Sequence, residues 1–384
     1  MKRKLLALCL AAMMALALAA CGNGGESPSP SPSGNDAQVS PQSSEGTRTG
    51  IPKEEIKVGF VYIGDINDGG YTQAHDRGRL ALEEMGITCL YKENIAENAD
   101  CETAIRELID QGCNVIYATG FGHMNFTANV AEEYPEIYFG HATGTMTLDN
   151  MCNYMGRMIE ARYLTGIVAG MSTQNNKIGY VAAFPYAECI RGINAFTLGV
   201  RSVNPDATVE VVWTNDWYDV ALERQAAMEL INKGVDVLAQ HQDSTACQLA
   251  AQDSGILAIG YNTSTPDAAP RAYLTAALFN WAEFYTDNVQ SIIDGTWEPA
   301  SYWEGLEAGW VAIDDLTDLC PEGAQAAVDE AEAAIISGEL KLFSGEVKDQ
   351  DGNVRATDMT DSEIYNMTWF VEGVIGTIPE ASAS

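Results

Sequence analysis

The stretch KIGYVAAFPYAECIRGINAFTLGVRSV, residues 177–203, contains one complete strand-and-helix unit and decides the fold. Its first part, KIGYVAAF (177–184), has the β-branched and aromatic composition of a buried strand. Its second part, CIRGINAFTLGVRSV (189–203), predicts a helix. When such pairs recur along a chain, they predict right-handed βαβ units and a parallel sheet.

The same alternation occurs on both sides of this stretch. Before it we predict strands at 57–64, 88–94, 114–120 and 137–144 and helices at 71–85, 101–112, 125–134 and 157–171. After it we predict strands at 208–215, 235–242 and 256–262 and helices at 220–234, 245–255 and 281–294. Two consecutive sets that meet near residues 172–176 predict an α/β fold of two doubly wound parallel-sheet lobes.

The beginning of the chain is typical of an exported protein. A basic start at residues 2–4 precedes the apolar run 5–18, and small residues then lead to Cys21. This pattern predicts a signal peptide over residues 1–20 rather than a membrane span. It also resembles the bacterial lipobox, in which the cysteine is lipidated, and a plain signal peptide is the alternative. We therefore expect a lipid anchor at Cys21 on the extracytoplasmic face of the cell membrane.

The domain organisation follows from composition and from the alternation of elements. Residues 21–55 are rich in Gly, Ser and Pro and predict a flexible linker. We expect an N-terminal lobe over 56–172, joined by about 280–312. The C-terminal lobe is expected over 173–279, joined by much of 313–379.

Charge and cysteine usage narrow the class of ligand. With 21 basic and 54 acidic residues, the net charge is −33, which repels nucleic acid and disfavours polyanionic ligands. Of the nine cysteines, Cys9 lies in the predicted signal peptide and Cys21 is the predicted lipidation site. The other seven occur singly, without CxxC or zinc spacing, and are expected to be buried small hydrophobes. A disulfide between distant cysteines stays open. We expect no metal, no cofactor and no nucleic-acid partner, and a ligand that is neutral or cationic.

Signatures of enzymes are scarce. GxSxG and HExxH do not occur, and no serine stands out as a nucleophile for His241. The stretch NDGGYTQAHDRGR (67–79) also lacks the glycine spacing of a phosphate-binding loop. Its Asp68 suits a helix cap, and its glycines would turn the chain so that Tyr71 faces the ligand. The sequence therefore favours a binding protein over an enzyme.

Aromatic and polar side chains gather just after the predicted strands, where open α/β sheets bind ligands. The candidate ligand-binding residues are Asp68, Tyr71, Phe121, Phe184, Trp217, Asp243, Asn262, Asn280 and Trp281. Aromatic faces with a few carboxylates and amides suit a flat, neutral ligand such as a nucleobase, or a sugar.

Several segments resemble the basic membrane protein (BMP) family of ABC-transporter solute-binding lipoproteins. They are GGYTQAHDRGRLALEE, ATGFGHMN, HATG, NKIGYVAAFPYAECIRGINAFTLGVRSVNP, AQHQDS, AIGYN, KDQDG and TWFVEGVIG. The resemblance covers residues 57–379. It implies a periplasmic-binding-protein type I arrangement with a hinge, ABC permease subunits as partners, and a purine nucleoside or base as ligand.

The resemblance also implies roles for individual residues. Tyr71 and Asp68 match the family's Asp-x-x-aromatic opening, and Asp243 lies in the loop after a C-lobe strand. Where nucleoside-binding relatives carry a lysine, this chain has Asn280-Trp281, and this departure favours a base alone.

The sequence thus predicts an extracytoplasmic solute-binding lipoprotein of an ABC importer that encloses a purine base or nucleoside-like heterocycle. Tyr71 and Trp281 would wall the ring, Phe121 and Phe184 would complete an apolar cage, and Asp243 would accept from an N–H. The alternatives are the same fold with a sugar or another small nutrient, a lipoprotein hydrolase that uses His241, and a sensory surface lipoprotein.

Overall fold

The computed structural model describes residues 49–379. The predicted signal peptide, Cys21 and nearly all of the predicted linker lie outside the described residues. The described residues all belong to one compact unit. The described residues contain no helix that is both long enough and apolar enough to span a bilayer.

Strands and helices alternate along most of the described chain. The strands are β1 (Lys57–Val61), β2 (Thr88–Lys92), β3 (Val115–Ala118), β4 (Tyr138–Ala142), β5 (Met151–Gly156), β6 (Lys177–Ala182), β7 (Thr208–Trp213), β8 (Val237–His241), β9 (Leu257–Asn262), β10 (Tyr273–Phe279), β11 (Ser301–Glu304), β12 (Val311–Ile313), β13 (Glu346–Lys348), β14 (Val354–Thr357) and β15 (Val374–Ile375). The helices are α1 (Tyr71–Glu84), α2 (Asp100–Asp110), α3 (Met124–Glu133), α4 (Ile159–Ser172), α5 (Ala187–Val203), α6 (Val220–Asn232), α7 (Ala246–Ser254), α8 (Trp281–Asp294), α9 (Ala324–Ile336) and α10 (Asp361–Tyr365).

Two large sheets organise these elements into two lobes. The sheet of the first lobe has the order β11-β5-β4-β3-β1-β2, and all its pairings are parallel. The sheet of the second lobe has the order β12-β10-β9-β8-β6-β7-β15, in which only β12 is antiparallel to its neighbour. The predicted α/β fold of two doubly wound parallel-sheet lobes is confirmed.

Central strands are buried on both faces because helices cover both sides of each sheet. Every residue of β3 (VIYA) and β4 (YFGHA) is buried. Continuous apolar strands are typical of parallel sheets covered in this way. This is why the strand signal at these two positions is strong in the sequence.

The chain passes between the lobes three times within residues 49–379. It leaves the first sheet after β5, returns after β10, and leaves again between β11 and β12. The helix α4, which the predicted boundary at residue 172 assigns to the first lobe, packs on α5 and β10 of the second lobe. The helix α8 packs on α1 of the first lobe.

The C-terminal tail, residues 346–379, packs on the second lobe and reaches the segments that join the lobes. Asn194 of α5 holds it by donating from Nδ2 to the Trp369 carbonyl oxygen (2.8 Å) and accepting at Oδ1 from the Val371 N–H (3.0 Å). Arg157, just after β5, donates to Asp361 at the start of α10 over 2.7 Å. The tail is therefore part of the folded unit.

Candidate functional site

A cavity of about 270 Å³ lies between the carboxyl ends of the two sheets. Its lining comes from both lobes, at or beyond the ends of successive strands, as expected for parallel sheets. Six aromatic rings line it: Tyr71, Phe121, Trp217, Tyr218, Tyr261 and Phe279. Of the nine sequence-predicted residues, six line the cavity: Asp68, Tyr71, Phe121, Trp217, Asp243 and Asn262.

Asp68 organises the first-lobe side of the cavity by capping α1. Its Oδ1 accepts from the backbone N–H groups of Gly70 (2.8 Å) and Gln73 (3.1 Å), and its Oδ2 accepts from that of Thr72 (2.8 Å). Burial raises the pKa of Asp68, although these three N–H groups act in the opposite direction. The capping role predicted from the sequence is confirmed, and a phosphate would have to compete with this carboxylate for the same donors.

Tyr71 follows this cap and is fixed within its own lobe. Its hydroxyl donates to the Thr119 carbonyl oxygen over 2.8 Å, and its ring meets His75 edge-on with centroids 4.5 Å apart. The part-buried ring still lines the cavity. Tyr71 thus offers a rigid aromatic surface that needs no rearrangement to meet a ligand.

Trp281 has a different position from the predicted one, because both faces of its indole are covered. Phe279 stacks on one face with centroids 4.5 Å apart, and His75 stacks on the other at 4.4 Å. Trp281 is only 1% exposed, so it supports Phe279 from behind the cavity wall. Asn280 also lies outside the lining, where its Nδ2 donates to the Gly309 carbonyl oxygen over 3.1 Å.

A row of aromatic rings borders the cavity, and its two end members, Phe121 and Trp217, line it. Phe121 of the first lobe stacks on Tyr186 of the second with centroids 5.6 Å apart, and Tyr186 stacks on Phe184 at 5.3 Å. Phe184 in turn lies 5.3 Å from Trp217. Phe184 therefore contacts the ring row rather than the cavity itself, and the Phe121–Tyr186 pair is an aromatic contact between the lobes.

Asp243 and Asn262 form the polar pair of the second lobe. The Asn262 Nδ2 donates to Asp243 Oδ1 over 2.8 Å, while the buried Asn262 Oδ1 has no partner among the described residues. Burial, together with the nearby carboxylates of Asp68 and Glu223, raises the pKa of Asp243 well above its ordinary value. Asp243 and Asn262 thus form one hydrogen-bonded polar pair among the residues that line the cavity.

Glu188 is a cavity residue that the sequence analysis missed. It lies in the first turn of α5, and its Oε2 is 2.9 Å from His241 Nε2. Burial would raise its pKa, but His241, Arg191 and Arg162 lower the pKa to about 2. An acidic residue in a first helical turn usually serves the helix dipole, so the sequence held no signal that His241 and Arg162, from two distant segments, would lie beside this one.

The chemistry of this cluster does not fit a metal ion or a catalytic triad. Ligand atoms of Glu188, Cys189 and His241 lie within 4.8 Å of one another. However, two guanidinium groups stand beside them, and burial raises the pKa of the Cys189 thiol well above its ordinary value. Among residues 49–379, His241 hydrogen-bonds with Glu188 and Tyr261 and with no serine, threonine or cysteine side chain.

Sequence comparison finds a matching family model and relatives that cover most of this chain. The family model described as ABC transporter substrate-binding protein PnrA-like (Bmp) matches residues 55–346. A purine-binding protein of Brucella abortus is 39% identical over 333 residues, which cover 85% of this chain and 95% of that protein. A Haloferax volcanii protein named as a glucose-binding protein of an ABC transporter is 43% identical over 264 residues, covering 68% of this chain and 67% of that one.

Solved structures share the fold at lower identity. A solute-binding protein of an ABC transporter system from Conexibacter woesei superposes with a TM-score of 0.65 at 23% identity, over 74% of this chain and 98% of that chain. Another from Aeropyrum pernix gives a TM-score of 0.67 at 18% identity, over 83% and 100% of the two chains. The two-lobed architecture is therefore that of type I periplasmic binding proteins.

Proposed function

The chain belongs to the PnrA-like family of ABC transporter substrate-binding proteins, and from this premise we propose that it captures a purine base between its two lobes. Substrate-binding proteins of this family bind a small molecule and deliver it to permease subunits. The finer assignment, a purine, depends on the chemistry of the cavity and on the purine-binding relative.

The observation that carries the proposal is the combination of rings and acceptors around one small cavity. Rings from both lobes provide flat apolar surfaces, and stacking a base on such a ring contributes about 1–3 kcal/mol. Asp243 and Asn262 stand at one wall and can meet the hydrogen-bonding edge of a base. A pocket that is mostly apolar, with few polar anchors, is the usual form of a small-molecule site.

The charge of the lining supports a ligand without negative charge. Within residues 49–379 the lining contains no lysine or arginine, whereas Asp68, Glu188 and Asp243 all belong to it. An anionic nucleotide would meet these carboxylates with no compensating cation in contact. A base lacks the phosphate and therefore avoids this cost.

A sugar is the second candidate, and the relative named for glucose binding favours it. Aromatic rings with carboxylates and amides also suit a pyranose. The two ligands differ in thickness and in donor pattern, so a direct binding experiment separates them.

We also propose that Cys21 carries the lipid that holds the protein at the extracytoplasmic face of the membrane. The support is the pattern of basic, apolar and small residues before Cys21. Labelling cells with a fatty-acid probe should mark the wild-type protein and leave Cys21→Ala unmarked. Equal labelling of both proteins would contradict the anchor.

The test of the ligand is a mass spectrum of small molecules released from the freshly purified protein, followed by calorimetry with purine bases, nucleosides and glucose. We expect a purine base in the released fraction and saturable heat with bases. Release of a hexose, together with heat from glucose alone, would replace the purine by a sugar.

A further inference from the structure

Glu188 brings a further carboxylate to the cavity, in addition to those of Asp68 and Asp243. Its side chain is 21% exposed, and it lines the cavity from the start of α5. The polar contacts that it makes among the described residues fall on Oε2, which receives His241 Nε2 at 2.9 Å and the Cys189 thiol at 3.6 Å. Its other oxygen, Oε1, is left for the cavity.

The groups behind Glu188 keep this carboxylate in one place and compensate its charge. His241 also meets the Tyr261 hydroxyl, at 3.1 Å, and is 1% exposed, so it cannot move away. Arg162 is fully buried, with its guanidinium 3.7 Å from the centroid of the Tyr261 ring. An ionised carboxylate held in this way accepts hydrogen bonds and donates none.

Glu188 and the Asp243–Asn262 pair call for different hydrogen-bonding groups on the ligand. The Asp243–Asn262 pair combines a carboxyl group with an amide whose Nδ2 donates to it, so this pair offers both acceptor and donor groups. An isolated acceptor such as Glu188 Oε1 calls for a single N–H. A free purine carries such an N–H on its five-membered ring, and a nucleoside has lost it to the glycosidic bond.

We propose that Glu188 Oε1 accepts the imidazole N–H of a bound purine and thereby makes the cavity select the free base over bases substituted at that nitrogen. This inference rests on the proposed function, because it assigns a specificity-determining residue to the same site. It goes further by naming the atom that distinguishes a base from its nucleoside.

The experiment is titration calorimetry with adenine and 9-methyladenine on the wild type and on Glu188→Gln. We expect the wild type to bind adenine at least tenfold more tightly than 9-methyladenine. In Glu188→Gln the amide oxygen would accept the hydrogen bond from His241, and the amide NH2 group would then face the ligand. Adenine should then bind about 10- to 100-fold more weakly, with little change for 9-methyladenine.

The matched control is Glu210→Gln. Glu210 is in the same lobe, is 26% exposed and pairs with Lys233 over 2.9 Å, but it lies outside the cavity lining. It should leave both affinities unchanged. Melting temperatures report whether each variant folds, and Glu188→Asp, which withdraws the carboxylate by one methylene, should show the same selective loss if the glutamine variant does not fold.

The outcomes separate the two proposals. A wild type that binds neither purine overturns the proposed function and this inference with it. A wild type that binds adenine and 9-methyladenine equally, or a folded Glu188 variant that weakens both to the same degree or neither, overturns the inference alone and leaves purine capture standing.

Discussion

The backbone of Gly70, at the start of α1, lies against the backbone of Asp243, just after β8, so closely that a Cβ on Gly70 would overlap the Asp243 carbonyl oxygen. The two residues belong to different lobes. The glycine in the GGYTQAHD segment is thus required by the approach of the lobes rather than by a phosphate.

Gly70→Ala should therefore oppose closure. We expect ligand affinity to fall by roughly 5- to 150-fold, which corresponds to the about 1–3 kcal/mol that overpacking costs. The ligand-free melting temperature should change little, because the lobes can separate. Calorimetry and small-angle scattering with ligand measure both effects. Gly192→Ala is the control, since its new Cβ would find its nearest neighbour at 3.7 Å. Unchanged affinity in Gly70→Ala would mean that the bound state does not bring these backbones together.

The ring pair Phe121–Tyr186 should slow the release of ligand. The rings are 46% and 40% exposed, so their contact adds little to the stability of either lobe alone. An aromatic pair contributes about 0.5–1.5 kcal/mol beyond the area that it buries. We expect Phe121→Ala to raise the dissociation rate roughly 2- to 12-fold. In a double-mutant cycle with Tyr186→Ala, the effects should not add. Strict additivity would show that the two rings act separately.

Asp243→Asn should weaken ligand binding far more than it affects folding. The loss of one hydrogen bond to the ligand corresponds to about 0.5–1.5 kcal/mol, or roughly 2- to 12-fold in affinity. Burial and nearby carboxylates raise the pKa of Asp243, so its ionised form costs stability at high pH, and asparagine removes this cost. The ligand-free melting temperature at pH 8 should thus stay level or rise. A lower melting temperature with intact affinity would make Asp243 a structural residue.

Glu223 should make folding stability depend on pH. It is fully buried, accepts from the Ser244 hydroxyl, and burial raises its pKa to about 7. A carboxyl whose pKa is raised by folding binds its proton more tightly in the folded state, so its contribution to stability is present at low pH and is lost as the pH rises toward 7. Glu223→Gln removes this loss.

Urea titrations of the wild type and Glu223→Gln at pH 5 and pH 8 test this expectation. Between pH 5 and pH 8, the free energy of unfolding of the variant should rise relative to that of the wild type by up to about 3 kcal/mol. A constant difference between the two proteins would show that Glu223 does not change its protonation over this range.

The tail should depend on Asn194. Alanine at this position leaves the Trp369 carbonyl and the Val371 N–H without their partner, at a cost of about 1–3 kcal/mol for each buried group. We expect limited proteolysis to cut the tail of Asn194→Ala faster than that of the wild type. Asn366→Ala is the control, because Asn366 is an exposed residue of the tail and its Nδ2 donates to the Ser362 carbonyl in an exposed bond within the tail. Equal cleavage of all three proteins would show that other contacts hold the tail.

The strands and helices were predicted well from the sequence where their own amino-acid composition is typical of a strand or a helix. β1, β3 and β6 are apolar runs with β-branched residues, and all three were placed correctly. β5, with the sequence MCNYMG, was missed because it has no β-branched residue. The Nδ2 of its Asn153 donates to the Met146 carbonyl oxygen and to the distant Ser301 hydroxyl.

The candidate site was predicted in part, for a related reason. Residues in the loops after strands, such as Asp68 and Asp243, line the cavity because of the order in which strands and helices follow one another. That order can be predicted from the periodicity of the sequence. The burial of the Trp281 indole and the low pKa of Glu188 are both caused by side chains from other segments of the chain. Such neighbours are set by tertiary packing, and no local pattern carries them.

The interleaved course of the chain between the lobes has a consequence for the order of assembly. Tyr285 of α8, whose hydroxyl bonds both His75 and Tyr154 of the first lobe, follows the whole parallel part of the second sheet except β15. A ribosome that has produced everything up to Gly156 has therefore not yet supplied the tyrosine that completes the earlier core, nor the edge strand β11. Translation must continue past residue 304 before the half of the molecule that was made first can finish folding.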